Sequence, residues 1–248
     1  MSSPIAGLWR ALGRFVLTLL CMVVLLHVFF ALRIALLVWI NPESSAFMRS
    51  EIVRRVQSAS PPKRAWSQHW QPLERISPHL QRAVIAAEDD GFSRHTGVEW
   101  HAMESAWQRN RQRSEQAQRK GLSAPEKLVG GSTITQQLAK NLLLSGERHL
   151  WRKGQELLLT FALEALLDKR RILEIYLNSV EWGDGVFGAE AAAQRYFGVR
   201  AHQLKPEQAA RLAVMLPAPK LFEQRPDSAY LKRRTALVLG RMSAAVLP

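Results

Sequence analysis

ELLLTFALEALL, Glu156 to Leu167, is apolar almost all the way round a helical wheel, interrupted by carboxylates at Glu156 and Glu164. A helix with so little polar surface predicts burial among other helices, and an ionised Glu156 placed there needs partners. Arg152 and Lys153 stand one turn back, at i−4 and i−3, within reach of it. An ordinary structural ion pair and a functional carboxylate explain this pattern equally well, while Glu164 reads as structural. The helical period continues on both sides, over roughly 133–143, 152–168, 169–178, 187–196, 205–215 and 228–244. Strand-like alternation is almost absent, so the fold class is mainly α, without an internal repeat of fixed period.

Upstream lies GGSTITQQLAKN, Gly130 to Asn141. Its two glycines permit a tight turn, and Thr133 with Gln136 has the spacing of a capping box. At about 100° per residue, Thr133, Gln136, Gln137, Lys140 and Asn141 share one arc of about 140°, while Ile134, Leu138 and Leu142 point elsewhere. This polar face holds no carboxylate and adjoins a helix N-terminus able to receive an anion, so it predicts a binding face to which Ser132 can contribute. Lys140, Arg148, Arg152 and Lys153 together form a concentrated receptor for a polyanion.

Further upstream, AVIAAEDDGFSRHTG runs from Ala83 to Gly97. Ser77-Pro78 supplies an N-cap and a first-turn proline, and Leu80, Val84 and Ala87 make an apolar stripe that ends at Glu88, Asp89 and Asp90. Three adjacent carboxylates oppose the helix dipole, and their repulsion raises proton affinity. The stretch is either a solvated loop or the seat of a general base with a tuned pKa. Two carboxylates, Glu88 and Glu156, beside a cationic cradle suit glycosyl transfer from a sugar diphosphate: a base takes the acceptor proton while cations stabilise the departing diphosphate.

The 248 residues suit one sizeable domain plus an appendage. Phe15 to Leu32 carries no formal charge and the apolar run resumes after Arg33 to Ile40, long enough to cross a bilayer core of about 30 Å. An uncleaved anchor is expected, with Arg33 snorkelling and Trp39 at the interface. Arg10 and Arg14 on one flank and Arg49, Arg54 and Arg55 on the other leave its orientation open. The expected division is a short cytoplasmic tail at 1–14, a transmembrane anchor at 15–40, a proline-interrupted linker at 41–75 and the main domain at 76–248. The polar, basic stretch from about 108 to 127 reads as a solvated loop or a flap over an anionic substrate. A formal charge of +13 suits an anionic partner, and the single cysteine, Cys21, allows no internal disulfide.

EDDGFSRHTG and GGSTITQQLAKN resemble the first two motifs of the peptidoglycan glycosyltransferases, glycosyltransferase family fifty-one. RKGQE with ALE resembles the third, the segment through LNSVEWGDGVFGAEAAAQRYFG the fourth, and LKPEQAARLAVMLPAP the fifth, in order from about Arg82 to Pro219. The resemblance implies a lysozyme-like, two-lobed α-helical domain held by one N-terminal transmembrane helix to the bacterial inner membrane, with catalysis on the periplasmic side. It implies lipid II as substrate, and a β-1,4-linked glycan on undecaprenyl diphosphate as product. Carried over by motif, Glu88 is the general base and Glu156 the second glutamate. Lys140, Arg148, Arg152 and Lys153 lie near the donor diphosphate; Ser132, Thr133, Gln136, Gln137 and Asn141 line the groove; Asp89, Phe92 and His95 give support. A divalent cation, Mg or Mn, would assist departure of the diphosphate, and the lipid bilayer and cell-wall synthesis or division proteins are the expected partners. Thr160 stands where the family pattern leads us to expect a smaller residue.

The resemblance is to monofunctional members. Ser60 to Lys63 matches S-x-x-K, but with two prolines inside and no K-T-G after it, so a transpeptidase site is not expected. A lysozyme-like lytic enzyme is one rival, although it has no need of the Lys140 to Lys153 cations. A membrane-anchored basic adaptor is the other, and nucleic acid is not the expected partner. The seven histidines show no H-E-x-x-H spacing, so no resident metal site is expected.

Overall fold

The computed structural model describes residues 4–58, 65–119, 130–144 and 150–248. The chain divides into two units, Met1–Asn41 and Pro42–Pro248. The first unit is built on helix α1, Pro4–Leu36. Within its stretch Gly7–Leu36 an 18-residue window reaches a mean hydropathy of 2.8, and the helix is long and apolar enough to cross a membrane. The polar side chains inside it bond to their own helix: Thr18 Oγ1 donates to Arg14 O at 2.8 Å, and His27 Nδ1 lies 2.7 Å from Val23 O. Such back-bonding satisfies a polar side chain within its own helix.

The second unit is mainly helical. Helix α2 spans Ala46–Gln57, α3 Pro78–Glu88, α4 Trp100–Arg119, α5 Ile134–Leu143, α6 Leu150–Leu166 and α7 Lys169–Ser179. Then follow α8 Ala189–Phe197, α9 Pro206–Met215, α10 Pro219–Gln224 and α11 Ala229–Arg241. One layer packs α3 against α9 and α11, and another packs α5 against α6 and α7. α3 buries the stripe Leu80, Ala83, Val84 and Ile85, and its C-terminal end meets α5. Ser77 caps α3 by accepting from His79 N at 3.3 Å, with Pro78 in the first turn, as its sequence predicts.

A small sheet closes one side, in the order β1–β3–β2, with β1 Ser67–Gln68, β2 Glu181–Gly183 and β3 Val186–Phe187. β1 and β3 run parallel with Ser67 opposite Val186, while β2 and β3 are antiparallel. Strands of two or three residues are too short to show alternation, which is why the sequence shows none. Buried Asn178 ties the sheet's approach to α7, donating to Gln71 O and accepting from Gln71 N, both at 2.8 Å. Gly188 has φ +81°, and a Cβ there would stand 2.8 Å from Asn178 O, so both backbone angle and space demand glycine.

Three expectations are corrected. The 41–75 stretch is not irregular throughout, since α2 occupies its middle. Ser45 accepts from Met48 N at 3.0 Å, and α2 packs on α5. Of the prolines that suggested a linker, Pro42 and Pro72 lie outside this helix, and Pro61 and Pro62 fall outside the described residues. The basic stretch after Trp107 is helical as far as Arg119, because it holds good helix formers and i,i+4 pairs such as Arg111–Glu115 at 2.9 Å. Its remainder, 120–127, lies outside the described residues. Finally, α6 is not buried all round: Glu156, Leu159, Thr160 and Leu163 form the inner stripe, while Leu158 and Phe161 are exposed. Packing against α5 and α7 occupies one side of α6.

Candidate active site

The end of α3 and the start of α5 meet through Asp89. Its Oδ2 accepts the backbone N–H of Ile134 at 2.9 Å, and its Oδ1 lies 2.8 Å from His95 Nε2. His95 Nδ1 in turn accepts the N–H of Gly97 at 3.1 Å, so Nε2 carries the ring proton and donates it to Asp89. Asp89 thus receives one free N–H of the α5 N-terminus and orients His95, and it is buried. Phe92 is buried below, its ring edge-on to His95 and 4.5 Å from Lys169 Nζ. Asp89, Phe92 and His95 thus form one connected group at the junction of α3 and α5.

Thr133 and Gln136 form the capping box that their spacing predicts. Gln136 N donates to Thr133 Oγ1 at 3.1 Å, and Thr133 N donates to Gln136 Oε1 at 3.0 Å. Thr133 Oγ1 also donates to Gly97 O at 2.6 Å. Both side chains are buried, 3% and 2% exposed, and engaged in the cap; Thr133 borders a smaller groove beside Glu88, and neither lines the main cleft. The polar face of α5 starts one residue later.

That face opens on a cleft of about 680 Å³ lined by Glu88, Ser132, Gln137, Lys140, Asn141 and Arg152, with Arg234, Glu181 and apolar Phe47 and Leu216 completing it. Glu88 is the last residue of α3, and its Oε2 accepts Gln137 Nε2 at 2.8 Å. Burial raises the Glu88 carboxyl above its ordinary range; the Gln137 N–H, Arg234 and Lys140 pull it back, and Asp89 adds to the rise. Burial also lowers the Lys140 ammonium below its ordinary value; Glu156 and Glu88 work against this, while Arg152 and Lys153 reinforce it. A bound anion would restore what burial removes.

Glu156 is buried and ion-paired with Lys153, and it acts electrostatically on Lys140 rather than lining the cleft. Arg148 lies outside the described residues. Thr160 Oγ1 donates to Glu156 O at 2.7 Å. The room for its methyl group is provided by Gly97, where a Cβ would stand 2.7 Å from Thr160 Cγ2. A second groove, lined by Asp90, Glu99, Arg109, Gly131 and Arg241, lies on the other side of Glu88. Glu88 therefore borders two concave surfaces, one cationic and one of mixed charge.

Sequence reasoning missed two residues. Arg234 reaches the cleft from α11, in a basic run without a cue to its direction. Tyr176, buried on α7, donates its hydroxyl to Gln137 Oε1 at 2.9 Å. Among the described residues, two clusters could hold a cation by proximity: Asp89, His95 and Glu99, and Glu51, Glu181 and Asp184. In the first, Asp89 and His95 are already bonded to one another and to backbone N–H groups. In the second, the Lys220 ammonium stands 2.7 Å from Glu51 and 3.1 Å from Glu181.

Comparison with known proteins bears on this geometry. Residues 54–243 match the family model described as Transglycosylase. A biosynthetic peptidoglycan transglycosylase of Janthinobacterium sp. (strain Marseille) is 50% identical, over 92% of this chain and 93% of that protein. Another, of Herminiimonas arsenicoxydans, is 50% identical over 94% and 95%, and one of Bordetella avium (strain 197N) is 46% identical over 96% of each.

Proposed function

The chain belongs to the transglycosylase family and is an enzyme that polymerises the glycan strands of peptidoglycan, and on that premise we propose that Glu88 is the general base of the transfer. Its mainly helical body has the lysozyme-like glycosyltransferase fold. The acceptor is lipid II, whose GlcNAc 4-hydroxyl gives its proton to Glu88 as the oxygen attacks C1 of the donor MurNAc. The new C–O bond forms opposite the departing undecaprenyl diphosphate, so an α-linked donor yields a β-1,4 link. Lys140, Arg152 and Arg234 face the charge that develops on the leaving diphosphate, and Ser132 and Asn141 offer neutral hydrogen bonds beside them. Glu156 pairs with Lys153 and favours the charged form of Lys140.

The observation that carries this reading is a desolvated carboxylate on the wall of a cleft that also presents three cations. A divalent cation does not fit this donor set, because Glu88 and Glu181 are the carboxylates among the described lining residues and Lys220 already stands against Glu181. No step here runs through a metal.

Helix α1 is the membrane anchor in this reading, with the catalytic unit on the periplasmic side of the inner membrane, where lipid-borne donor and acceptor are delivered. The anchor's length and apolarity support this, and the basic excess suits anionic headgroups. The test is incubation of purified protein with labelled lipid II, then with lysozyme. Lysozyme-sensitive polymer is expected; cleavage of preformed glycan without polymer would favour a lytic enzyme.

A further inference from the structure

Gln137 places two unlike ends of one amide between two partners. Its Nε2 donates to Glu88 Oε2 at 2.8 Å, and its Oε1 accepts the Tyr176 hydroxyl at 2.9 Å. A half-turn of the amide would exchange the ends at almost no steric change. The exchanged form sets a carbonyl oxygen against Glu88, which an ionised carboxylate repels and a protonated one accommodates by donating. It also turns Tyr176 into an acceptor and strands its own proton in a fully buried place. The direction of the amide and the protonation of Glu88 are therefore linked.

We propose that Tyr176 is a positioning residue for glycosyl transfer: its hydroxyl holds the Gln137 amide with the N–H toward Glu88, and so keeps Glu88 an ionised acceptor for the incoming hydroxyl proton. The proposal rests on the reading of Glu88 as general base. Tyr176 suits the part, since burial, with Glu88 and Asp89 beside it, pushes its phenol well above the ordinary range and keeps it a donor. The charged groups around Glu88 are Asp89 at its own helix end, Lys140 from α5, Arg152 from α6, Arg234 from α11 and Glu181 from β2. Replacing Tyr176 by phenylalanine removes one oxygen and alters none of them.

The test is the pH dependence of kcat/KM for lipid II polymerisation in wild type, Tyr176→Phe, Gln137→Leu and the double variant. Loss of one buried hydrogen bond moves the acid limb of Tyr176→Phe upward by about one pH unit, a loss of about tenfold on the acid side that shrinks toward the plateau. Gln137→Leu moves the limb the same way, and adding Tyr176→Phe to it moves the limb no further. An unmoved limb in Tyr176→Phe, with or without a lower Tm, overturns the proposal, as does a full additional shift in the double variant. Should Tyr176→Phe not fold, the wild-type protein decides. The side-chain ¹⁵N–H resonances of Gln137 then titrate with the midpoint of the acid limb, and pH-independent resonances overturn the proposal. Full activity of Glu88→Gln would instead sink the base reading itself, a result distinct from either.

Discussion

Two carboxylates, Glu88 and Glu181, line the same cleft, and burial raises both. Their surroundings differ. Glu88 accepts a neutral N–H from Gln137 and feels Arg234 and Lys140 without an ion pair to either among the described residues. Glu181 shares one ammonium, Lys220, with Glu51 and Asp184, and is pushed up to about 7 by burial, against the pull of Lys220 and with the push of those two carboxylates. Desolvation alone therefore does not make a catalytic base. A base also needs to be free to take up the substrate proton, and at Glu181 the Lys220 ammonium stands 3.1 Å from Oε1.

The largest expected effect separates these two. Glu88→Gln lowers the polymerisation rate by about a thousandfold, within the range for loss of a general base, whereas Glu181→Gln leaves it within several fold. Equal losses in the two variants would erase the distinction. Next, Lys140→Ala or Arg234→Ala lowers kcat by about a hundredfold, as loss of one group facing developing negative charge does, and a steady-state assay with lipid II reads it. Removing the cation on the other side affects folding instead: Lys220→Met lowers stability by about 2 kcal/mol in urea melts, a figure discounted because Lys220 is partly exposed.

The pH dependence of stability sharpens the contrast. Glu181 has a folded pKa of about 7 against an ordinary value of 4.5. Its contribution is fully present below the unfolded value and is lost as pH rises through the folded one. Between those values the wild type loses stability with rising pH, and Glu181→Gln flattens that part of the curve. A parallel pair of curves would refute the assignment. The smallest effect belongs to the α5 cap: Thr133→Ala costs about 1 kcal/mol, seen as a lower Tm with KM for lipid II unchanged.

Much of this arrangement is legible in local patterns. Ser77-Pro78 announces α3, and the Thr133–Gln136 spacing announces a capping box. The same cap shows what a helical wheel leaves out, since it assigns direction but not the hydrogen bonds that engage a side chain. Helix α2 was hidden because its buried face, Ala46, Met48 and Glu51, ends in a carboxylate that Arg54 and Lys220 neutralise, the latter 169 residues away. Arg234 and Tyr176 were illegible for a related reason. One lies in a run of basic residues and the other in an apolar helix, and only the packing of α11 and α7 beside α3 and α5 gives them a target.

The most direct test of the central claim is single-turnover transfer from labelled lipid II, comparing folded Glu88→Gln and Glu181→Gln with wild type. Glu88→Gln is predicted to bind donor yet transfer about a thousandfold more slowly, while Glu181→Gln keeps most of the wild-type rate. Transfer by Glu88→Gln at the wild-type rate, or a collapse confined to Glu181→Gln, would contradict the account.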